Sequence, residues 1–194
     1  MRRERGSVWV TTDDGQTHRF DNVILAAPAD ESLRLLTDAD ADERRLLGAF
    51  QYQPNLATVH SDQNVMPKAR LAWSAWNYRM SRHPSGAVLP QTVYWMNCLQ
   101  GLKTETEYFV SINGEHEIDP TRVHRKIPYT HPLFSLEAIA AQKELPGLNR
   151  RGNGQNVFFA GSYFRYGFHE DAFGSAVQLS RVLSREPVYP GIGG

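Results

Sequence analysis

Two adjacent acids, Glu170 and Asp171, open a helical pattern in the stretch NVFFAGSYFRYGFHEDAFGSAVQLSRVL, residues 156–183, where an apolar run, Val157 to Ala160, precedes them. Acids are natural occupants of a helix start, because their charge meets the positive end of the helix dipole. The pattern predicts unpaired N–H groups at Asp171, Ala172 and Phe173, a partly positive end that seeks anions. The two carboxylates would repel a phosphate at the same spot. The helix end therefore suits a ligand that develops modest negative charge, approached by backbone N–H groups while the acids cap the helix or bond to hydroxyls. Gly161 closes the apolar run, and its missing side chain permits close backbone approach. Gly174, Ser175 and Ala176 keep the first helical turns narrow enough to lie against something flat. A reduced isoalloxazine ring, negative at N1 and at the C2 carbonyl, meets these requirements. A buried strand running into a capped helix with no ligand meets the pattern as well.

Other residues offer less chemistry. His60 with Asp62, and His124 with His131, show no spacing that gathers three metal ligands on one element. No nucleophile elbow and no Ser-His-Asp order is visible. His169 adjoins the acidic helix start and reads as a hydrogen-bonding partner of the turn backbone. Lys68 follows Pro67 in a loop and reads as a solvated surface lysine. The single cysteine, Cys98, excludes an intramolecular disulfide framework and reads as a small core residue in a strand. Trp73, Trp76, Tyr78, Tyr94 and Trp95 fall on two expected strands. Period-2 alternation puts Trp73 and Asn77 on one face and Trp76 and Tyr78 on the other, so one set is core.

The elements that position these residues follow from pattern. Ser7 to Thr11 alternates, Asp14-Gly15 makes a turn, and Val23 to Ala27 is a nearly continuous apolar strand of the kind buried in parallel sheets, ended by Pro28. Asp30 to Leu36 and Asp42 to Phe50 carry leucines at helical spacing with acids at their starts. From Tyr52 the texture turns to β-rich segments (NLATVHSD, ARLAWSAWNYRM, TVYWMNCL, EYFVSIN, TRVHRKIPYTHP) separated by Pro, Gly and Ser turns, which predicts an antiparallel sheet. SLEAIAAQKELPGL reads as a helix started by Ser135 and stopped at Pro146-Gly147, and the polar NRRGNGQ as a loop.

Composition bounds the class. The 194 residues are 41% hydrophobic and 22% charged, with Lys plus Arg and Asp plus Glu equal at 21 each. That is an ordinary globular composition with no net field to attract nucleic acid or an anionic membrane. The basic MRRERG lacks the apolar core of a signal peptide, and no apolar run approaches the roughly 18 residues of a membrane span. These features predict a cytoplasmic location, no nucleic-acid partner and no transmembrane segment.

The helix-start stretch resembles the C-terminal flavin-binding motif of the FAD-dependent amine oxidase and phytoene desaturase superfamily. FDNVILAAPADESLRLL resembles the strand that re-enters the FAD domain of those enzymes. VHSDQNVMP, AWSAWNY, VYWMNCLQGL and YGFHED resemble one branch, the predicted NAD/FAD-binding flavin-containing amine oxidases, and the likeness runs from about Val8 to Leu183. The resemblance implies FAD as cofactor. It places Gly161 and Ser162 at the ribityl or pyrophosphate portion, Glu170, Asp171 and Ala172 beneath the flavin pyrimidine, and Ala26, Ala27 and Pro28 near the nucleotide half. Ser162 stands where the family usually carries an acid. Trp73, Trp76 and Tyr94 are implied to line a substrate cavity for an amine or an unsaturated lipid-like molecule.

The superfamily opens with a strand, Gly-x-Gly-x-x-Gly and a helix, the turn that receives the pyrophosphate. No such motif occurs in these residues, so the chain corresponds to roughly the C-terminal half of such an enzyme. The expected fold class is α/β plus α+β. Residues 1–50 and 150–186 would form a discontinuous, partial FAD/NAD(P)-binding Rossmann-like domain, and residues 51–149 an inserted, mainly antiparallel substrate sheet with a helix. The expected activity is transfer of a hydride from a substrate C–H to flavin N5, completed by an N-terminal FAD-binding half that belongs either to a longer reading frame or to a partner in trans. The alternative is a non-catalytic fragment or interaction module that does not bind flavin alone.

Overall fold

The computed structural model describes residues 1–4, 6–82, 86 and 88–184. The chain forms two units, one from residues 1–52 and 132 onward and the other from residues 53–131.

The first unit begins with an antiparallel meander of β1 (Arg2–Glu4), β2 (Ser7–Thr11) and β3 (Thr17–Phe20). Strand β3 lies where the sequence reading passes directly from the Gly15 turn to the next apolar run. All four of its residues are exposed, so no alternation announces it. Strand β4 (Val23–Leu25) then pairs in parallel with β10 (Val157–Phe159), Val23 opposite Val157 and Leu25 opposite Phe159. Sequence-distant runs of like apolar texture thus become neighbours, as expected of parallel strands.

Helices cover both faces of this pair. On one face Leu25, Val157 and Phe159 join a core with α1 (Ala29–Leu35), α2 (Ala41–Gly48), α4 (Leu136–Gln142) and α5 (Leu145–Gln155). On the other, Phe158 and Ala160 pack against Leu179 of α6 (His169–Ser184). Burial of a side chain the size of Phe158 or Phe159 contributes about 2 kcal/mol.

The helix starts follow from their caps. Asp40 accepts from the Glu43 N–H at 2.8 Å while Glu43 accepts from the Asp40 N–H at 2.9 Å, a capping box that begins α2. Ser135 accepts from the Ala138 N–H at 3.1 Å and begins α4.

The segment 145–155 departs from expectation. Pro146 and Gly147 do not stop the chain but lie in the first turn of α5, where a proline's missing N–H costs no helical bond. NRRGNGQ is helical, held by buried Leu145 and Leu148. A Cβ at Gly152 would lie 2.7 Å from the Phe158 ring and from the Val157 carbonyl, so only glycine lets α5 come this close to β10. Residues 132–149, expected with the inserted sheet, lie in the first unit, because Ala138, Ala141 and Leu145 bury themselves in its core.

The second unit is built on a five-stranded sheet in the order β6-β7-β8-β5-β9, with β5 (Gln51–His60), β6 (Trp76–Arg82), β7 (Val88–Trp95), β8 (Phe109–Ile112) and β9 (Val123–Leu133). The pairings β5–β8, β6–β7 and β7–β8 are antiparallel. Cys98 lies on α3 (Met96–Gln100), a short helix after β7, and is exposed, so it is neither in a strand nor in the core. Among the described residues no helix is long and apolar enough to cross a membrane.

His60 is fully buried in this unit. One ring nitrogen is 2.8 Å from the Ser111 hydroxyl, the other accepts from the Asp62 N–H at 3.2 Å, and the ring stacks on Phe109. Burial pushes its pKa down to about 4, against the raising effect of nearby Asp62. The unfolded chain, with an ordinary imidazole near 6.5, binds the proton first, so His60 contributes stability above that pH that drains away as pH falls toward 4. The loss by pH 4 is expected to reach about 3 kcal/mol. Urea unfolding of the parent and of His60→Gln between pH 7.5 and 4.5 measures it. The two proteins should converge in stability as pH falls, and a constant difference would contradict the assignment.

Candidate functional site

The parallel register brings the carboxyl ends of β4 and β10 side by side, with the Ala160 N–H donating to the Leu25 carbonyl at 3.0 Å. Ala26, Ala27 and Pro28 continue from one strand and Gly161 and Ser162 from the other. Ala26 and Pro28 are exposed, and Ala27 is half-buried. The Ala27 carbonyl accepts from the Ser32 hydroxyl at 3.3 Å, and the Pro28 carbonyl from the Ser32 N–H at 2.8 Å, so this end is shaped by the start of α1.

After Gly161 the chain makes a 3-10 turn over Ser162–Phe164, passes Gly167 at φ 91° and enters α6. Ser175 fastens the helix to the strand end. Its hydroxyl accepts from the Gly161 N–H at 2.9 Å and donates to the Ala172 carbonyl at 2.7 Å. The sequence marks Ser175 only as a small residue; this tie is what joins the strand end and the helix start.

Two expectations change here. Gly161 does leave room for a close approach, but the space is taken by Tyr163. A Cβ at Gly161 would lie 2.6 Å from Cε1 and 2.8 Å from Cδ1 of that ring. Tyr163 is 2% exposed and meets Phe50 edge-on at 5.4 Å. Burial raises its phenol well above the ordinary range.

The second change concerns the free donors. The N–H groups of Asp171 and Ala172 both reach the Phe168 carbonyl, at 3.1 and 3.2 Å. The helix begins at His169, a residue earlier than the acids suggest, so the donors without an acceptor among the described residues are those of His169 and Glu170. Asp171 serves as a cap, accepting from the Phe168 N–H at 3.0 Å, and Glu170 is exposed.

Beside this junction runs a hollow of about 510 Å³, bordered by Lys143, Phe164, Arg165, Glu170, Phe173 and Arg181 among others. Its walls mix aromatic surface with charges of both signs.

In the second unit, alternation divides the aromatics. Trp73, half-buried, packs against the core with Trp95 and Phe109 at 5.4 and 5.6 Å beneath the Arg70 guanidinium, off the β6 strand. Trp76 and Tyr94, opposite each other in the β6–β7 register, stack at 5.9 Å on the other face, where Tyr78 and Met80 are also exposed. Trp76 is 61% exposed and borders a hollow of about 440 Å³ with Met66, Asn77 and Val93. Of the three aromatics expected at a cavity, Trp76 and Tyr94 share an accessible face and Trp73 does not. Among the described residues no three His, Cys, Asp or Glu side chains converge as a metal site.

No family model matches the chain, and no curated protein does. Solved structures do. A CLA-producing fatty acid isomerase from P. acnes matches with a TM-score of 0.56 at 17% identity, covering 96% of this chain and 46% of the isomerase. Reduced UDP-galactopyranose mutase matches with a TM-score of 0.56 at 11% identity, covering 91% of this chain and 44% of the mutase. The likeness is one of fold, and the chain spans less than half the length of either protein.

Proposed function

We propose that this chain is the flavin-facing C-terminal portion of an FAD-dependent, amine-oxidase-like oxidoreductase. The observation that carries the reading is the junction of two parallel strand ends with the N-terminus of α6, since ligands of parallel α/β sheets bind outside the carboxyl ends of the strands. The fold shared with the isomerase and the mutase supports it.

The residues present fit one half of the cofactor. The free N–H groups of His169 and Glu170, at the positive end of a 16-residue helix, favour the pyrimidine edge of a flavin, where negative charge collects. Nothing in this chain matches the glycine turn that holds a pyrophosphate, so that half needs residues from elsewhere. FAD supplies hydride acceptance at N5 from a substrate C–H. This chain's part is to hold and orient. Asp171 fixes the first turn of α6, Ser175 fixes that turn to the strand end, and the Trp76, Tyr78, Met80 and Tyr94 face offers an apolar wall to substrate. That wall, and the fatty acid named for one structural neighbour, favour an unsaturated lipid-like substrate over an amine.

The rival reading, a module that binds no flavin, draws on Tyr163, which accounts for Gly161 without any ligand. Asp171→Lys in the chain joined to a dinucleotide-binding half separates the two. It removes a cap contributing about 1 kcal/mol and sets a cation at the positive helix end. The expected result is faster FAD loss than in the parent, and unchanged occupancy would favour the rival.

A further inference from the structure

The hollow beside α6 follows one face of that helix. Glu170, Phe173, Gly174, Val177 and Arg181 border it at the three-and-four spacing of a single helical stripe. The facing wall comes from the end of α4 and the turn before α6, where the Gln142 side chain donates to the Tyr163 carbonyl at 3.1 Å and to the Arg165 carbonyl. That tie holds the backbones of Lys143 and Arg165 on one wall. At about 510 Å³ the hollow has the size of a small-molecule site.

Two features of its lining serve nothing inside the chain. Lys143, Arg165 and Arg181 all border the hollow, and none has a side-chain hydrogen bond or an ion pair among the described residues. A hollow of about 430 Å³ between α2 and α5 gives the contrast. There Arg45 pairs with Glu144 at 2.7 Å and Asp42 at 3.3 Å, and Arg151 with Asp42 at 3.1 Å and Asp40 at 3.4 Å. The second feature is Gly174. A glycine inside a helix costs stability relative to alanine, and Gly152 of α5 has its reason in the Phe158 ring, whereas a Cβ at Gly174 would meet nothing within 4 Å. Its missing side chain only keeps the floor of the hollow bare.

The chemistry of the lining selects the ligand. Guanidinium groups grip phosphate oxygens through paired N–H donors, and the exposed Phe173 ring beside bare Gly174 offers a flat surface for stacking. Gln178, exposed and without a side-chain bond among the described residues, adds an amide for a ring edge. The acids at the helix start would repel a phosphate, but Arg181 lies about 16 Å further along the axis. An acyl chain would need a longer apolar slot than Phe164, Phe173 and Val177 supply. We propose that this hollow binds a nucleotide, its phosphate on Lys143, Arg165 and Arg181 and its base on Phe173 over Gly174. Pro146 of α5 borders the hollow, and α5 covers the outer edge of β10 through Asn149, so the site opens on the β10 side and not at Ala26 to Pro28 beyond β4. It does not depend on the flavin reading.

The test is an NMR titration of the 194-residue chain with AMP, inorganic phosphate and adenosine. AMP should shift the Lys143, Arg165, Gly174 and Arg181 amides saturably, with adenosine and phosphate each at least about tenfold weaker. Arg165→Gln and Arg181→Gln should each weaken AMP about tenfold. Phe173→Ala should weaken AMP and leave inorganic phosphate unchanged. Gly174→Leu, which fills the hollow and favours the helix, should abolish AMP binding without lowering the melting temperature. Arg150→Gln, at the other hollow, is the control and should bind as the parent does. No saturable shift with AMP overturns the proposal, as does an equal loss in Arg150→Gln, which would show diffuse charge attraction. Shifts centred on Ala26 to Pro28, full AMP binding by Gly174→Leu, or tighter binding of octanoate than of AMP would overturn it as well.

Discussion

Gly161→Ala is expected to destabilise the chain by about 2–3 kcal/mol, and Gly161→Val by more, because the new Cβ meets a ring that cannot move aside. Tyr163 is fully enclosed, edge-on to Phe50 and 5.0 Å from Phe164, and its ring would lie 2.6 Å from that Cβ. Relief requires shifting either the ring or the strand end, and the strand end is fixed by the Gly161–Ser175 and Ala160–Leu25 hydrogen bonds. A double-mutant cycle in urea with Tyr163→Ala checks the cause. Gly161→Ala should be nearly neutral in that background, and an equal cost in both backgrounds would show that Tyr163 is not what excludes a side chain. The same pair bears on function. If a ligand also needs the bare backbone at Gly161, then in the joined protein Gly161→Ala should reduce FAD retention even where Tyr163 has been removed.

Glu43→Ala is expected to cost about 3 kcal/mol, read as a lower urea midpoint with an unchanged slope. Glu43 is 1% exposed and does two things at once. One carboxylate oxygen closes the α2 capping box on the Asp40 N–H, and the other receives the guanidinium of Arg3 from β1. Removing it leaves a largely buried cation with Asp38, at 3.1 Å, as its one acidic partner among the described residues, and opens the first turn of α2. A surface pair such as Arg45–Glu144, more than half exposed on both sides, serves as the control and should contribute well under 1 kcal/mol. Similar costs for the two sites would mean that burial of Glu43 has little energetic consequence.

What could be read from sequence was whatever rests on pattern with a one-sided physical cause. Acids cluster at the starts of α2 and α6, where Glu43 and Asp171 help to cap the first turns, Ser135 caps α4, and the evenly apolar runs at Val23 and Val157 pair in parallel. Alternation separated Asn77 from Trp76 and Tyr78 on β6. The misreadings share a cause, in that a residue type permits two opposite uses. Pro146 and Gly147 are helix breakers in the interior and good occupants of a first turn, and buried leucines decided for the turn of α5. Exposed β3 has no apolar signature, and Cys98 follows a strand into a short helix. The glycine and the acids marked the turn between strand end and helix, but its free donors among the described residues are those of His169 and Glu170 and not of Asp171 to Phe173, and neither the Tyr163 ring against Gly161 nor the Ser175 tie is encoded in a local spacing pattern.

Retention of FAD through gel filtration by the chain alone and by the chain joined to a dinucleotide-binding half tests the central claim most directly. The account predicts a colourless 194-residue chain and a joined protein that carries close to one FAD with a flavin absorption spectrum. A chain that holds stoichiometric FAD by itself, or a folded joined protein that remains colourless with excess FAD, would contradict it.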